Sequence, residues 1–386
     1  MARSLLMTLQ HLLRGLAVSC LLASGLSVAA EPGLSVDEIR VGMVNAQSGP
    51  AAALGLSMRN GTQAYFKRIN AEGGVHGRRI SLISLDDGYE PSRTAAHTRD
   101  LLSTQQVFAL LGYVGTPTSR AALPLALRAQ VPYLFPITGA QFLRTPTKPG
   151  VFTIRASNID ETEHLVERMT QDLKLNKIAI LMQNDSYGES VKSGLNGALL
   201  KRNLKIHAQA LIQRNSLDVA GAVRALQATQ PEAIIFAGTY RQLSAAIKQA
   251  KALNFNTRFI GVSFIGTAGF IREAGKDGDG VYISQVVPSP HDTSRALVQA
   301  YQADMHPGSF DHSSLEGYIG AAVFTQALLN AGAQPTRQSF LDALEHMNTD
   351  LGAFEIAFSR TDHQGSSAVF LTRIENGQAV PATTMH

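Results

Sequence analysis

From Ile39 to Val287 the chain alternates short apolar runs with amphipathic helical segments, and this alternation limits its folds more than any other feature. Ile39–Val44, Arg79–Leu85, Val107–Leu111 and Pro132–Phe135 read as strands. Leu54–Asn70, Ser92–Ser103 and Thr118–Ala129 read as the helices between them, and Gly73-Gly74 end the first as a C-cap. The pattern then restarts. Asp160–Leu173 carries Leu165, Met169 and Leu173 on one face, with Asp160 and Glu163 placed as a capping box. Strands at Lys177–Met182, Lys205–Leu211, Ala233–Ala237, Arg258–Gly261 and Val281–Val287 follow, separated by helices at Val191–Arg202, Val219–Gln230 and around Leu243–Ala250. Strands that alternate with helices imply parallel sheets covered on both faces. Two such series in 386 residues imply an α/β protein of two doubly wound, Rossmann-like lobes.

The remainder reads differently. Ser294–Met305, Ser313–Ala331 and Thr336–Met347 are helical with no strand between them, and Phe354–Phe358 and Ala368–Ile374 are strand-like. Such a tail can return to the first lobe and end in the second. No low-complexity linker separates the lobes.

Residues 1–30 read as a secretory leader. Arg3 and Arg14 precede an apolar run from Leu16, and Val28-Ala29-Ala30 supply a small-residue cleavage site. The run is shorter than the ~20 residues of a spanning helix. Cleavage removes Arg3 and Arg14 from the 34 basic residues, leaving 32 against 30 acidic ones. It also removes Cys20, the chain's single cysteine, and with it disulfide and thiolate chemistry. The small, scattered positive excess is not a nucleic-acid surface.

Motifs for catalysis are missing. No G-x-G-x-x-G or P-loop follows a strand, so no nucleotide cofactor is expected. Gly261 to Gly266 approaches a nucleophile elbow around Ser263, but its second glycine is one residue too far. Asp304, His306, Asp311 and His312 surround Pro307-Gly308 and read as a solvated loop rather than a metal site. Asp277-Gly278-Asp279-Gly280 lacks the distal glutamate of a calcium loop. No catalytic residue, metal or cofactor is assigned.

Several segments together resemble the substrate-binding proteins of branched-chain amino acid ABC transporters. They are Val41-Gly42 to Ser48-Gly49-Pro50, Ile69 to Arg78, Asp86-Asp87, Gly112 to Thr118, Pro136 to Ala140, Asp185 to Gly188, and Ser314 to Tyr318. The resemblance spans almost all of the chain after the leader. It implies a type I periplasmic binding fold with three chain crossings and a ligand held between closing lobes. The implied lobes are 36–156 plus 288–362, and 157–287 plus 363–382. It also implies a monomer in the periplasm that passes a small carboxylate, an amino acid or another organic acid, to permease subunits in the inner membrane. The same fold serves in periplasmic sensors, which is the alternative function. A secreted α/β hydrolase would need the nucleophile and base that are missing above.

Carried over residue by residue, the resemblance places the ligand's carboxylate at Gly115, Thr116 and Thr118 and at Ile137, Thr138 and Gly139. Ser48 belongs to a matched segment beside them, and Tyr187 and Tyr240 cover the ligand from the second lobe. The residue pattern agrees. Both loops follow the carboxyl ends of apolar strands, where doubly wound folds bind ligands. Thr116 is positioned to cap the next helix with Pro117 in its first turn, offering unpaired N–H groups to an anion. The chain departs from its family at one point. Amino-acid binders of this type hold the α-ammonium with an acid, whereas the matching stretch here supplies Ser263 and Phe264. Asp185, Glu189 and Glu316 are the acids in or beside matched segments that can replace it. Without one, an aromatic-lined cleft suits carboxylates that carry no α-amino group.

Overall fold

A computed structural model describes residues 31–386; the leader lies outside the described residues. The first sheet is built from β1 (Glu38–Asn45), β2 (Arg79–Asp86), β3 (Ala109–Leu111), β4 (Tyr133–Leu134) and β5 (Val151–Phe152). Its order is β2-β1-β3-β4-β5, and every pair is parallel. Helices α1 (Ala52–Ala71), α2 (Pro91–Ser103) and α3 (Thr116–Arg128) connect the strands. Parallel strands need such crossovers, and the helices cover both faces.

The second sheet begins after α4 (Asn158–Gln171). It takes β6 (Ile178–Gln183), α5 (Ser186–Leu200), β7 (Gln209–Ile212), α6 (Ala220–Gln227), β8 (Ala233–Ala237), α7 (Tyr240–Ala252), β9 (Arg258–Gly261), α8 (Thr267–Ala274) and β10 (Tyr282–Gln285). Then come α9 (Ala296–Asp304), α10 (His312–Asn330) and α11 (Arg337–Glu345). The small hairpin of β11 (Asn348–Asp350) and β12 (Glu355–Ala357) follows. The chain ends in β13 (Phe370–Glu375) and β14 (Gln378–Ala382), which join the second sheet antiparallel. The sheet order is β14-β13-β10-β9-β8-β6-β7. Ile178 to Gln183 are buried throughout, as expected of a strand covered on both faces.

The chain passes between the sheets at 153–157, 286–295 and 358–369. Two of these passages lie side by side. Thr153 N–H donates to His363 O at 2.9 Å, and Gly365 N–H donates to Thr153 O at 2.7 Å. One apolar core runs through residues of both sheets and includes Tyr89, Val114, Tyr187 and Phe264. Two further clusters fill the outer faces of the sheets.

Local chemistry corrects two sequence expectations. The capping box of α4 is Ser157 with Asp160, because Ser157 Oγ accepts from Asp160 N–H while the Asp160 carboxylate accepts from Ser157 N–H. Glu163 instead pairs with Lys201 and Arg202. The cap of α3 is Gly115, at φ 99°, and Thr116 is already helical. The loop residues weighed for metal binding have other partners. Asp304 pairs with Arg68 at 2.8 Å and accepts from Tyr318 Oη, and Asp311 caps α10. Among the described residues no three His, Cys, Asp or Glu side chains gather to hold a metal ion, and no helix is long and apolar enough to cross a membrane.

His312, the first residue of α10, gives a test of pH dependence. Burial, reinforced by His291, pushes its imidazole down to about 3. An imidazole ordinarily titrates near ~6.5, so the unfolded chain takes up this proton first as pH falls. The neutral ring therefore stabilises the fold fully above about 6.5, and that contribution is lost between there and about 3. Melting temperatures between pH 7 and 5 should fall less steeply in His312→Gln than in wild type. Parallel profiles would place the sensitivity elsewhere.

Candidate functional site

In both sheets the strand order reverses beside the strand that starts the series, and the loops after β3, β4, β6, β8 and β9 open toward one cleft. The first-sheet side is locked by backbone pairing. Gly115 N–H donates to Ile137 O at 3.0 Å, and Ile137 N–H donates to Tyr113 O at 2.7 Å. Gly115 has no room for a side chain, whose first carbon would lie 2.3 Å from Tyr89 Cε2. Thr116 and Thr138 join the two loops through hydroxyls 2.6 Å apart, both buried. Thr118 turns its hydroxyl to the carbonyls of Val114 and Gly115, holding the turn. The Ile137 side chain is buried in the shared core.

Gly139 touches the second half of the molecule. Its carbonyl accepts from Asn158 N–H at 2.8 Å, and a side chain there would start 2.3 Å from Asn158 Oδ1. Asn158 Nδ2 in turn donates to Ser190 Oγ of α5 at 2.9 Å. The N-termini of α3, α4 and α5 thus converge on a cavity of about 450 Å³ that Thr116, Gly139, Asn158, Ser186 and Ser190 help to line. Two of these termini are already occupied: Asn158 N–H donates to Gly139 O and Asp160 N–H to Ser157 Oγ in α4, while Tyr187 and Gly188 N–H donate to the Asp185 carboxylate in α5. The α3 terminus has no side-chain cap, so it is the one that offers N–H groups and partial positive charge to an anion.

From the second sheet, Tyr187 and Phe264 pack with ring centroids 4.5 Å apart, and Tyr89 of the first adds its ring 5.7 Å from Phe264. Tyr240 opens α7 and packs beside Gly269 of α8. Ser48 stands apart, exposed, with its hydroxyl on Asp86 Oδ2 at 2.6 Å.

Beneath the aromatic residues lies a buried charge cluster. Arg155, in the first passage between the sheets, reaches Glu161 Oε1 of α4 at 3.7 Å and Glu316 Oε1 of α10 at 3.6 Å. It also hydrogen-bonds Ser263 Oγ. Glu161 Oε2 accepts from Ser263 N–H at 2.8 Å and from Ser284 Oγ at 2.6 Å. All three charged side chains are at most 5% exposed. Burial raises the Glu316 carboxyl above its ordinary range while Arg155 opposes the rise. Arg144, beside them, is pushed down to about 9 by burial and by Arg155, and it donates to the carbonyls of Ala140 and Arg155.

The structure therefore brings Gly115, Thr116, Thr138 and Gly139 together, with Tyr187 and Phe264 facing them, while Glu316 turns to Arg155. Arg155, Glu161 and Tyr89 escaped sequence reasoning. A partial signal existed for two of them. Glu161 stands four and eight residues before Leu165 and Met169, on the apolar face of α4, and Arg155 interrupts the buried run Val151–Ala156.

Comparison with known proteins agrees with the fold. A family model described as periplasmic binding protein matches residues 38–379. A crystal structure of a "possible leucine/isoleucine/valine-binding protein" from Rhodopirellula baltica SH 1 superposes with a TM-score of 0.85 at 32% identity, covering 90% of this chain and 97% of that one. The fatty acid ABC transporter substrate-binding protein of Thermomonospora curvata superposes with a TM-score of 0.81 at 21% identity, covering 92% and 94%. The leucine-specific-binding protein of Salmonella typhimurium is 23% identical over 289 residues, 74% of this chain and 77% of that protein.

Proposed function

The chain belongs to the periplasmic binding protein family, and from that premise we propose that it captures a small organic carboxylate between its lobes and hands it to an ABC transporter without altering it. The lobes are taken as 36–156 plus 288–362, and 157–287 plus 363–382. The observation that carries the reading is the N-terminus of α3, free of any side-chain cap, which opens on the cavity beside the Thr116–Thr138 hydroxyl pair and the Gly139 backbone. A carboxylate there accepts from N–H groups that a neutral ligand satisfies less well. Tyr187, Phe264 and Tyr240 cover the apolar part from the other lobe. Relatives named for leucine and for a fatty acid show that the fold takes carboxylates with and without an amino group.

Ser263 decides between these in our reading. Its hydroxyl meets Arg155 and its N–H meets Glu161, and Arg155 already pairs with both Glu161 and Glu316, so neither carboxylate is left as a dedicated counter-charge for an ammonium. Carboxylates without the α-amino group are the expected ligands. A thermal-shift screen tests this, because a ligand at ~100 times its dissociation constant adds about 2.7 kcal/mol to stability. Organic acids should raise the melting temperature, and their carboxamides and the matching amino acids should do so less. Carboxamides matching the acids would remove the carboxylate from the reading, and recovery of a chemically changed ligand would remove the transport role.

A further inference from the structure

The loop Gly88-Tyr89-Glu90 of the first sheet is clasped by Arg214 and Asn215, which follow β7 of the second. Asn215 Nδ2 donates to Gly88 O at 3.1 Å and to Glu90 Oε1 at 2.6 Å, and Arg214 Nη2 donates to Glu90 Oε2 at 3.1 Å. Arg214 Nη1 also lies 3.5 Å from Asp185 Oδ2, the carboxylate that caps α5. The residues of this corner hold polar atoms buried without a hydrogen-bond partner: Tyr89 Oη, Asp185 Oδ2 and Asn215 Oδ1, together with Arg214 Nε and the neighbouring Ser186 Oγ and Tyr187 Oη. The orientation of the Asn215 amide follows from its two acceptors, so its Oδ1 is an acceptor without a donor. Tyr89 is fully buried and holds φ at 62°, where a bulky residue is strained and persists only when its surroundings fix it. Burial and the Asp185 carboxylate lift its phenol well above the ordinary range, so the hydroxyl keeps its proton.

Resting on the reading that the carboxylate sits at the α3 N-terminus, we propose that this corner receives a hydroxyl on the ligand's α-carbon, which selects α-hydroxy acids. The acceptors Asp185 Oδ2 and Asn215 Oδ1, set among hydroxyl and guanidinium donors, call for a group that both donates and accepts. A hydroxyl accepts from Tyr89 O–H and donates to Asp185 or Asn215. A second carboxylate would be repelled by Asp185. An ammonium would meet the Arg214 guanidinium that already neutralises Asp185. An unsubstituted acid leaves the buried atoms unpaired, and a site built to bond a hydroxyl rejects such an analogue strongly. The α-position follows from the approach of Tyr89 to Gly115. Cε2, next to the carbon bearing the hydroxyl, stands where a side chain at 115 would begin.

Calorimetric titration of the whole protein with two matched trios tests this: α-hydroxyisocaproate, leucine and isocaproate; and phenyllactate, phenylalanine and phenylpropanoate. In at least one trio the α-hydroxy acid should bind tighter than both companions by about tenfold or more, the factor expected for one unmade hydrogen bond. Tyr89→Phe and Asn215→Ala should each shrink that ratio. Equal binding by the unsubstituted acid, or tighter binding by the amino acid, overturns the inference and leaves the carboxylate site standing. Equal binding by the carboxamide of the hydroxy acid overturns the carboxylate reading itself. Silence from every member of both trios rejects the α-hydroxy class.

Discussion

Replacing Gly139 with valine should abolish ligand binding while both sheets stay folded. The backbone at 139 conforms to ordinary geometry, so the substitution creates no left-handed strain. The obstacle is space, because the new Cβ would lie 2.3 Å from Asn158 Oδ1 and 2.5 Å from Asn158 N. Those atoms belong to the start of α4, across the cleft from the β4 loop. Relieving the clash separates Gly139 O from Asn158 N–H and moves the loop carrying Thr138 away from Thr116. A ligand gripped from both sides then loses the geometry of both. Each donor must stay within hydrogen-bond reach, and a hydrogen bond to a charged group contributes about 1.5–3 kcal/mol, so losing two weakens binding about a hundredfold or more. Titration with the best carboxylate, alongside circular dichroism, reads binding and fold together. Gly197→Ala on α5 is the control, because nothing lies within 4 Å of a side chain there. Normal affinity in Gly139→Val would detach this loop from the site.

The largest stability loss should come from Arg155→Met. Arg155 lies 3.7 Å from Glu161 of α4 and 3.6 Å from Glu316 of α10, and both acids are buried. Removing the guanidinium leaves two carboxylates in the interior without their cation. Breaking a buried ion pair from one side typically costs about 3–5 kcal/mol. The triple replacement Arg155→Met, Glu161→Gln, Glu316→Gln should recover part of that loss, because it removes the charges together. Chemical denaturation separates the cases. If the single and triple variants were equally unstable, shape rather than charge would be the cause.

How much of this was legible in the sequence follows from burial. Strands covered on both faces, such as Ile178–Gln183, are continuous apolar runs and announce themselves. β5 has two residues, too few for any pattern, and its place in the sheet comes from pairing with β4. The terminal hairpin had a readable sign in Asn376-Gly377, both left-handed here as a tight primed turn requires. The carboxyl ends of β3 and β4 were legible as a candidate site because Gly, Thr and Pro follow apolar strands there. The corner of Tyr89, Asp185 and Asn215 was not, because its members come from separate loops of two sheets and meet only when the sheets face each other. Arg155 and its two acids were each visible as charges among apolar neighbours, but no periodicity states which distant charges pair.

The position of the bound carboxylate is the most direct test of how this protein holds its ligand. A crystal structure of the protein with the tightest-binding acid of the thermal-shift screen answers that. The expected result places the carboxylate oxygens within hydrogen-bond distance of the N–H groups opening α3 and of the Thr116 or Thr138 hydroxyl, with Tyr187 and Phe264 over the rest of the ligand. A carboxylate held instead by Arg272 and His291, in the groove of about 800 Å³ between α8 and the start of α10, would contradict it.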